Sequence, residues 1–242
     1  MSTTLEPTYR SDMSVELVRS AAGDADVVWS ARVSTQGEQS LAALDEDPKA
    51  SAGLIGFLLR NRHGTPFEHN SMTFLVSAPI FVFREFQRHR IGWSYNEESG
   101  RYRELSPTFY VPAPDRALAQ TGKPGAYDFV DAGPELTALA VDATTRAYRA
   151  AYASYQEMLA AGVAREIARV VLPVGIYSSM YATCNARSLM AFLSLRTKDE
   201  NSKFPSYPQR EIEMVAEQME AHFAALMPLT HAAFVEAGRV CP

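Results

Sequence analysis

The chain has 242 residues, 47% of them apolar and 21% charged, with a formal net charge of −5. That length is enough for one large domain with a sizeable core and requires no second one. The acidic balance argues against a surface built to collect nucleic acid, and no run of about 18 apolar residues exists to span a membrane.

Residues 1–14, MSTTLEPTYRSDMS, carry acids and hydroxyls without an apolar stretch, so they read as a flexible lead and not as a secretory signal. TQGEQSLAALDEDP (35–48) reads as a polar loop. ASAGLIGFLLRN (50–61) predicts a short helix with an apolar face. Gly64 and Pro66 punctuate HGTPFEH (63–69) as a turn or loop. MTFLVS (72–77) predicts a buried strand. Pro79 suits the first turn of a helix over IFVFREFQRHR (80–90), which starts apolar and ends charged. On that helix Arg84 and Arg88 share a face, as do Glu85 and His89. Residues 91–101 read as a loop, Thr108 to Pro112 as a short extended piece, and the Pro/Gly-rich stretch through Tyr127 as a connection. Glu135 to Ala161 predicts a long alanine-rich helix between Pro134 and Gly162. Ala164 to Leu172 predicts a second, stopped by Pro173, with Arg165 and Arg169 on one face. Gly175 to Cys184 looks extended, and Asn185 caps a helix over 186–196. Thr197 to Pro208 is a polar loop, and Gln209 to Met227 an amphipathic helix. The order strand, helix, arginine at the helix end occurs twice, and the two copies are expected to pack as a pair around one pocket. The mixture is α+β, without a fixed-period repeat.

Two cysteines, Cys184 and Cys241, form no disulfide framework and have no partner at zinc-ligand spacing. A reducing, cytoplasmic home and no metal centre are expected. Only four of the 23 basic residues are lysines, and for that total, genomic base composition is the preferred explanation. It does not explain the clusters. Arg88–His89–Arg90, followed by Ser94, Asn96, Glu97, Ser99 and Arg101, suits a phosphate dianion or the polar edge of a flavin; complementing a helix C-terminus is the plainer reading. Trp93 and two glycines inside the run weigh against a merely solvated face. His63 and His69 lack a third ligand at a sensible spacing for a metal. Arg165, Glu166, Arg169, Arg187 and Arg196 alternate with apolar residues, and guanidiniums buried there need partners.

Arg88 to Tyr102 read RHRIGWSYNEESGRY. RHR, a spacer and SGR form the signature of the flavin-dependent thymidylate synthases, and the chain resembles that family. HGTPFEH followed by a strand and API is a second such segment. AREIARVVLP with NARSLMAFLSLR is a third, and the matched stretch runs from about Ser34 to Arg196. Two features depart from the family. Eight residues separate Arg90 from Ser99 where seven are usual, and Ala191 stands where many members carry a polar residue on the flavin.

The resemblance implies a distinctive single-domain α+β fold spanning 1–242, a mixed sheet with flanking helices, assembled as a homotetramer with shared active sites. It implies synthesis of dTMP from dUMP, with 5,10-methylenetetrahydrofolate as carbon donor and NADPH-reduced FAD as hydride source. Cys184, in TCNAR, lacks the proline-cysteine-histidine order of the cysteine-dependent class, so no cysteine nucleophile is expected. The dUMP site would comprise Glu85, Phe86, Gln87, Arg88, Glu97, Glu98, Ser99, Gly100, Arg101, Arg169 and Arg196, with Arg196 the catalytic guanidinium near the uracil ring. The FAD site would comprise Ser34, His63, Thr65, Arg88, His89, Arg90, Glu97, Asn185, Ala186 and Arg187. No GxGxxG run offers a Rossmann crevice. Two other readings remain: a non-catalytic nucleotide- or RNA-binding module that stacks bases on Trp93, Tyr95 and Tyr102, and a flavoenzyme with a different acceptor.

Overall fold

The computed structural model describes residues 6–242. In chain order it contains strands β1 (Thr8–Arg10) and β2 (Ser14–Ala21), helix α1 (Asp24–Gln36), 3₁₀ turns at Gly37–Leu44 and Pro48–Ser51, α2 (Ala52–Arg60) and a 3₁₀ turn at Thr65–Glu68. Next come β3 (Ser71–Pro79), α3 (Ile80–Phe86), β4 (Trp93–Glu97), β5 (Thr108–Tyr110), β6 (Ala119–Lys123), β7 (Ala126–Val130) and α4 (Gly133–Ala160). The last elements are α5 (Arg165–Ala168), which tightens to 3₁₀ over Arg169–Val171, β8 (Tyr177–Cys184), α6 (Ala186–Arg196), α7 (Arg210–Leu226) and α8 (Pro228–Glu236). The expected mixture of helix and strand is present.

The chain divides into two compact units, each drawn from three separate segments. The first takes the described residues up to Met13, Ser77–Gln87 and Glu97–Met180. Its core is aromatic: Tyr148, Tyr152 and Tyr155, spaced to share one face of α4, pack with Phe109, Leu105 and Ile176. Phe109 stacks on Tyr148 with ring centroids 4.7 Å apart. Gly175 passes so close that a Cβ there would lie 2.1 Å from the Tyr148 hydroxyl. That close passage lets the Ile176 and Val174 carbonyls accept from the Ile80 and Phe81 amides at 3.0 Å each. Two donors at the start of α3, which have no partner within the helix, are thereby satisfied.

The second unit takes Ser14–Val76, Arg88–Asn96 and Tyr181–Pro242. A four-stranded sheet runs in the order β2-β3-β8-β4. In β3, Met72, Phe74 and Val76 are buried while their neighbours are not, the alternation of a strand with one covered face. Helix α7 packs against α6 and β2, and α8 against α2 and α7. Asp24, buried at the start of α1, accepts from the Leu229 and Thr230 amides and from the Thr230 hydroxyl at 2.9, 2.8 and 2.7 Å.

Four expectations need correction. Thr8–Arg10 are not a flexible lead: they pair in parallel with Thr108–Tyr110, while residues 1–5 lie outside the described residues. The helix expected over 80–90 stops at Phe86, so Arg88, His89 and Arg90 follow it instead of decorating its end. The loop expected over 91–101 contains β4, because Trp93, Tyr95 and Glu97 alternate with exposed residues along an edge strand. The connection before Tyr127 is a hairpin, turned by Gly122 and Gly125 at φ +89° and +85°.

Behind α6 lies a buried ionic network. Arg239, 6% exposed, donates to both Glu220 carboxylate oxygens at 2.7 Å and to Thr197 Oγ1 at 2.6 Å. His231 Nε2 reaches Glu220 Oε1 at 2.9 Å. Burial opposes the ionised form of Glu220, but the hydrogen bonds from His231 and Arg239 outweigh it and hold the carboxyl at about 2. Removing one member of a buried pair strands the other. Arg239→Ala is therefore expected to cost about 3–5 kcal/mol in urea unfolding at neutral pH. The folded-state value lies below the ordinary 4.5. The wild-type advantage should thus hold above pH 4.5 and fade as pH falls toward about 2.

Candidate functional site

Part of the sequence-selected set lines two cavities, one in each unit: Arg88, His89 and Arg90 in one, and Glu97, Glu98, Gly100 and Arg169 in the other. The cavity in the second unit, of about 220 Å³, is lined by Arg88, His89, Arg90, Trp93, Ser188 and Ala191, among others. Its wall forms because the chain after Arg90 is fastened to the start of α6. Ser188 Oγ donates to the Ile91 carbonyl at 2.9 Å. Gly92, at φ +70°, passes so near that a Cβ would lie 2.1 Å from Ser188 Oγ. The Tyr95 hydroxyl donates to the His89 carbonyl at 2.8 Å, and Trp93 stacks on Tyr95 while tilting against Phe192.

His89 sits edge-on to Phe192, and its Nε2 accepts from Arg196 Nε at 3.1 Å. That bond requires Nε2 to lack a proton, which places the neutral ring's hydrogen on Nδ1. Burial, then the Arg196 and Arg88 guanidiniums, depress the imidazole to about 4. The carboxamide of Asn185 accepts from Ser188 N at 2.9 Å as the expected cap. Ala186 is buried, and its amide donates to Asn70 at 2.8 Å. Arg187 donates to Glu68 at 2.5 Å and to the Pro242 carbonyl at 2.9 Å, and it lies directly over Gly64. It thus ties α6 to the turn that begins at Thr65. His63 and Thr65 are exposed beside that turn. Ser34, also exposed, is one helical turn beyond Ser30, whose hydroxyl bonds the Pro66 carbonyl. Neither His63, Thr65 nor Ser34 lines the Arg88 cavity.

The cavity in the first unit, of about 260 Å³, is lined by Arg84, Glu97, Gly100, Leu105, Arg169 and Ser178, among others. Burial pushes the Glu97 carboxyl up, and neighbouring Glu98 adds to this; the Ser178 hydroxyl first, then the Arg169 and Arg84 guanidiniums, pull the other way. Neither of those arginines closes an ion pair among the described residues. Gly100 fits between Leu105 and Arg169, where a Cβ would meet Leu105 Cδ1 at 3.1 Å and Arg169 Cδ at 3.2 Å. The SGR stretch is a tight turn. The Ser99 carbonyl accepts from the Tyr102 and Arg103 amides, and Ser99 Oγ accepts from the Arg101 amide at 3.3 Å. Arg101 is exposed and pairs with Glu166 at 2.7 Å; Glu98 pairs with Arg103 at 3.1 Å. Glu85, Phe86 and Gln87 end α3; Phe86 is wholly buried and Gln87 exposed.

A family model described as thymidylate synthase complementing protein matches residues 16–229. A flavin-dependent thymidylate synthase of Streptomyces coelicolor is 69% identical over 233 residues, covering 96% of this chain and 95% of that protein. The chain belongs to the flavin-dependent thymidylate synthase family. Two solved structures of a UMP/dUMP methylase, PolB from Streptomyces cacaoi, superpose with a TM-score of 0.90 each. One is bound with 5-Br UMP (55% identity, 98% of this chain covered) and the other with 5-Br dUMP (57%, 97%), each covered over 100% of its own length.

In this flavin-dependent thymidylate synthase family member, sequence reasoning passed over two residues that line the first-unit cavity. Arg84 was visible only as a neighbour of Arg88 on a helix that in fact ends between them. Ser178 carries no motif at all. Cys184 is buried, and burial pushes its thiol up; Cys241 is shifted the same way for the same first reason. Among the described residues no helix is long and apolar enough to cross a membrane, and no group of three or more His, Cys, Asp or Glu side chains is placed to hold a metal.

The depressed His89 value sets a pH dependence. Between 6.5 and about 4 the unfolded chain binds a proton at this position that the folded chain refuses. Stability is therefore full above 6.5 and is lost as pH falls through that window. His89→Gln, which keeps an acceptor for Arg196 but cannot titrate, should flatten this part of the melting-temperature profile. An unchanged slope would remove His89 as its source.

Proposed function

We propose that the protein makes dTMP by reductive methylation of dUMP, with 5,10-methylenetetrahydrofolate as carbon donor, NADPH as reductant of bound FAD, and no cysteine nucleophile. The observation that carries this reading is the first-unit cavity, where two guanidiniums without ion-pair partners, Arg84 and Arg169, flank the half-buried Glu97 in a chain of this family. Unpaired guanidiniums suit phosphate, whose oxygens match their donor fork.

In this reading dUMP is held by Arg169, Glu97, Glu98, Ser99, Gly100 and Arg101, with Glu85, Phe86, Gln87 and Arg88. The SGR turn presents Ser99 as a donor to phosphate. The fully buried Phe86 would contribute through its backbone. Arg196 stabilises negative charge that develops on the uracil ring, and His89 holds its Nε in a fixed direction. Buried Cys184, its thiol pushed up, is a poor nucleophile, which agrees with a cysteine-free route.

The second-unit residues fit a flavin dinucleotide in their chemistry. Arg88 and Arg90 are exposed cations for its phosphates, and Trp93 is an aromatic wall. Asn185, Ala186, Arg187, His63, Thr65 and Ser34 complete the proposed site. When bound, FAD supplies the hydride. We further propose a cytoplasmic homotetramer with shared active sites, in which the whole chain acts as one flavin-dependent thymidylate synthase domain.

The test is a visible spectrum of the purified protein, then tritium release from 5-tritiated dUMP with NADPH and methylenetetrahydrofolate, with UMP as competitor. A flavin spectrum with dUMP-dependent release is expected. Colourless protein that neither takes up FAD nor releases tritium would sink the reading. Arg196→Ala should retain FAD but lose release by about 10²-fold or more, as for removal of an electrostatic donor. Cys184→Ser should stay active; a folded, FAD-loaded but dead variant would overturn the cysteine-free route. Ala191 lines the Arg88 cavity. Ala191→Asn restores a polar side chain there and should tighten FAD binding by about two- to tenfold, read by fluorescence titration.

A further inference from the structure

Ser178 lies on β8, is 4% exposed, and lines the first-unit cavity. Its hydroxyl faces Glu97 and holds that carboxyl down more than either guanidinium does, yet its buried Oγ closes no hydrogen bond of good geometry. Buried hydroxyls in native proteins are nearly always bonded, because desolvation without a partner is costly. The surrounding wall offers none: Leu105, Leu172 and Ile176 are apolar, and the guanidiniums of Arg84 and Arg169 are not within bonding distance.

We infer that Ser178 and Glu97 together recognise the 3′-hydroxyl of the nucleotide sugar. The inference rests on the reading that this cavity takes dUMP. A phosphate oxygen only accepts, so the raised but still acidic Glu97 repels it, and Arg84 and Arg169 are its natural partners. A sugar hydroxyl both donates and accepts. It gives its hydrogen to the Glu97 carboxylate and takes one from Ser178, satisfying all three groups at once. The sugar stands between phosphate and base, so a polar pair in the same cavity as the phosphate-binding guanidiniums meets the sugar first. Ser178 is thus a substrate-contacting residue of the site, and the contact is indifferent to whether the sugar carries a 2′-hydroxyl.

The experiment is a four-corner binding comparison on FAD-loaded enzyme: wild type and Ser178→Ala, each titrated with dUMP and with 2′,3′-dideoxyuridine 5′-monophosphate. Wild type should bind the dideoxy compound about tenfold or more weakly than dUMP, since the analogue leaves the buried Ser178 hydroxyl and the half-buried Glu97 carboxylate unpaired. In Ser178→Ala, dUMP should weaken about two- to tenfold, and the discrimination between the two nucleotides should shrink by a similar factor. Ser178→Thr, which keeps the hydroxyl, should recover most of the discrimination. Equal discrimination in wild type and Ser178→Ala overturns the inference. So does a wild type that binds both nucleotides alike, whatever the variants do. A wild type that binds UMP much more weakly than dUMP overturns the stated indifference to the 2′-hydroxyl. A wild type that binds FAD but no uridine nucleotide overturns this inference and the dUMP reading together.

Discussion

The second-unit cavity depends on one close approach: Gly92 against Ser188. A side chain at position 92 would collide with the hydroxyl that bonds the Ile91 carbonyl, and φ at +70° favours glycine in any case. With glycine there, the segment after α3 lies against the first turn of α6. Arg88, His89 and Arg90 then stand beside Asn185 and Ala191, although nearly 100 residues separate them in the chain. The contact also brings His89 within reach of Arg196 at the other end of α6. One glycine thus links the RHR segment to the start of the NAR helix.

The arginines of this chain divide by whether the protein already answers their charge. Arg187 and Arg239 are paired with Glu68 and Glu220 and act as struts between elements, while Arg210 pairs with Glu217 along its own helix. Arg84 and Arg169 instead flank a carboxyl that burial pushes up, without closing a pair on it. Although Glu97, Glu98 and Glu166 share the same lining, neither guanidinium is closed by a carboxylate among the described residues, so their donors stay open to an incoming anion. In the other unit Arg88 and Arg90 are exposed at a cavity whose lining holds no carboxylate.

Local features were the most legible in the sequence. Asn185 caps α6 as expected, because its Oδ1 needs only the amide three residues on. The alternation in β3 and the tyrosine spacing in α4 follow from periods of two and 3.6. Features set by distant partners were not legible. The helix of α3 ends at Phe86 where the IFVFREFQRHR pattern runs on, because the bonds that redirect the chain come from α6. β4 looked like a loop because W-S-Y-N-E becomes a strand only by pairing at the sheet edge. β1 exists because Thr108–Tyr110 lie alongside it. Ser178 and Arg239 belong to no motif: one is singled out by a missing hydrogen bond, the other by a buried network.

That network bears directly on Arg196. The residue after it, Thr197, is held at every polar atom. Its amide and hydroxyl donate to the Leu193 carbonyl, its carbonyl accepts from Ser206 Oγ at 2.6 Å, and its Oγ1 accepts from Arg239. Arg239 is in turn fixed by both oxygens of Glu220. Arg196 is therefore constrained twice, in backbone by this lattice and in side chain by His89. A guanidinium intended to meet charge as it develops gains most when it need not reorganise at that moment. A long, flexible arginine at the end of a helix would otherwise lose that advantage to its own rotamer entropy. The buried Arg239–Glu220 pair thus acts in orientation, through its bond to Thr197. It keeps the end of α6 rigid where the neighbouring loop, Thr197 to Pro208, would let it fray.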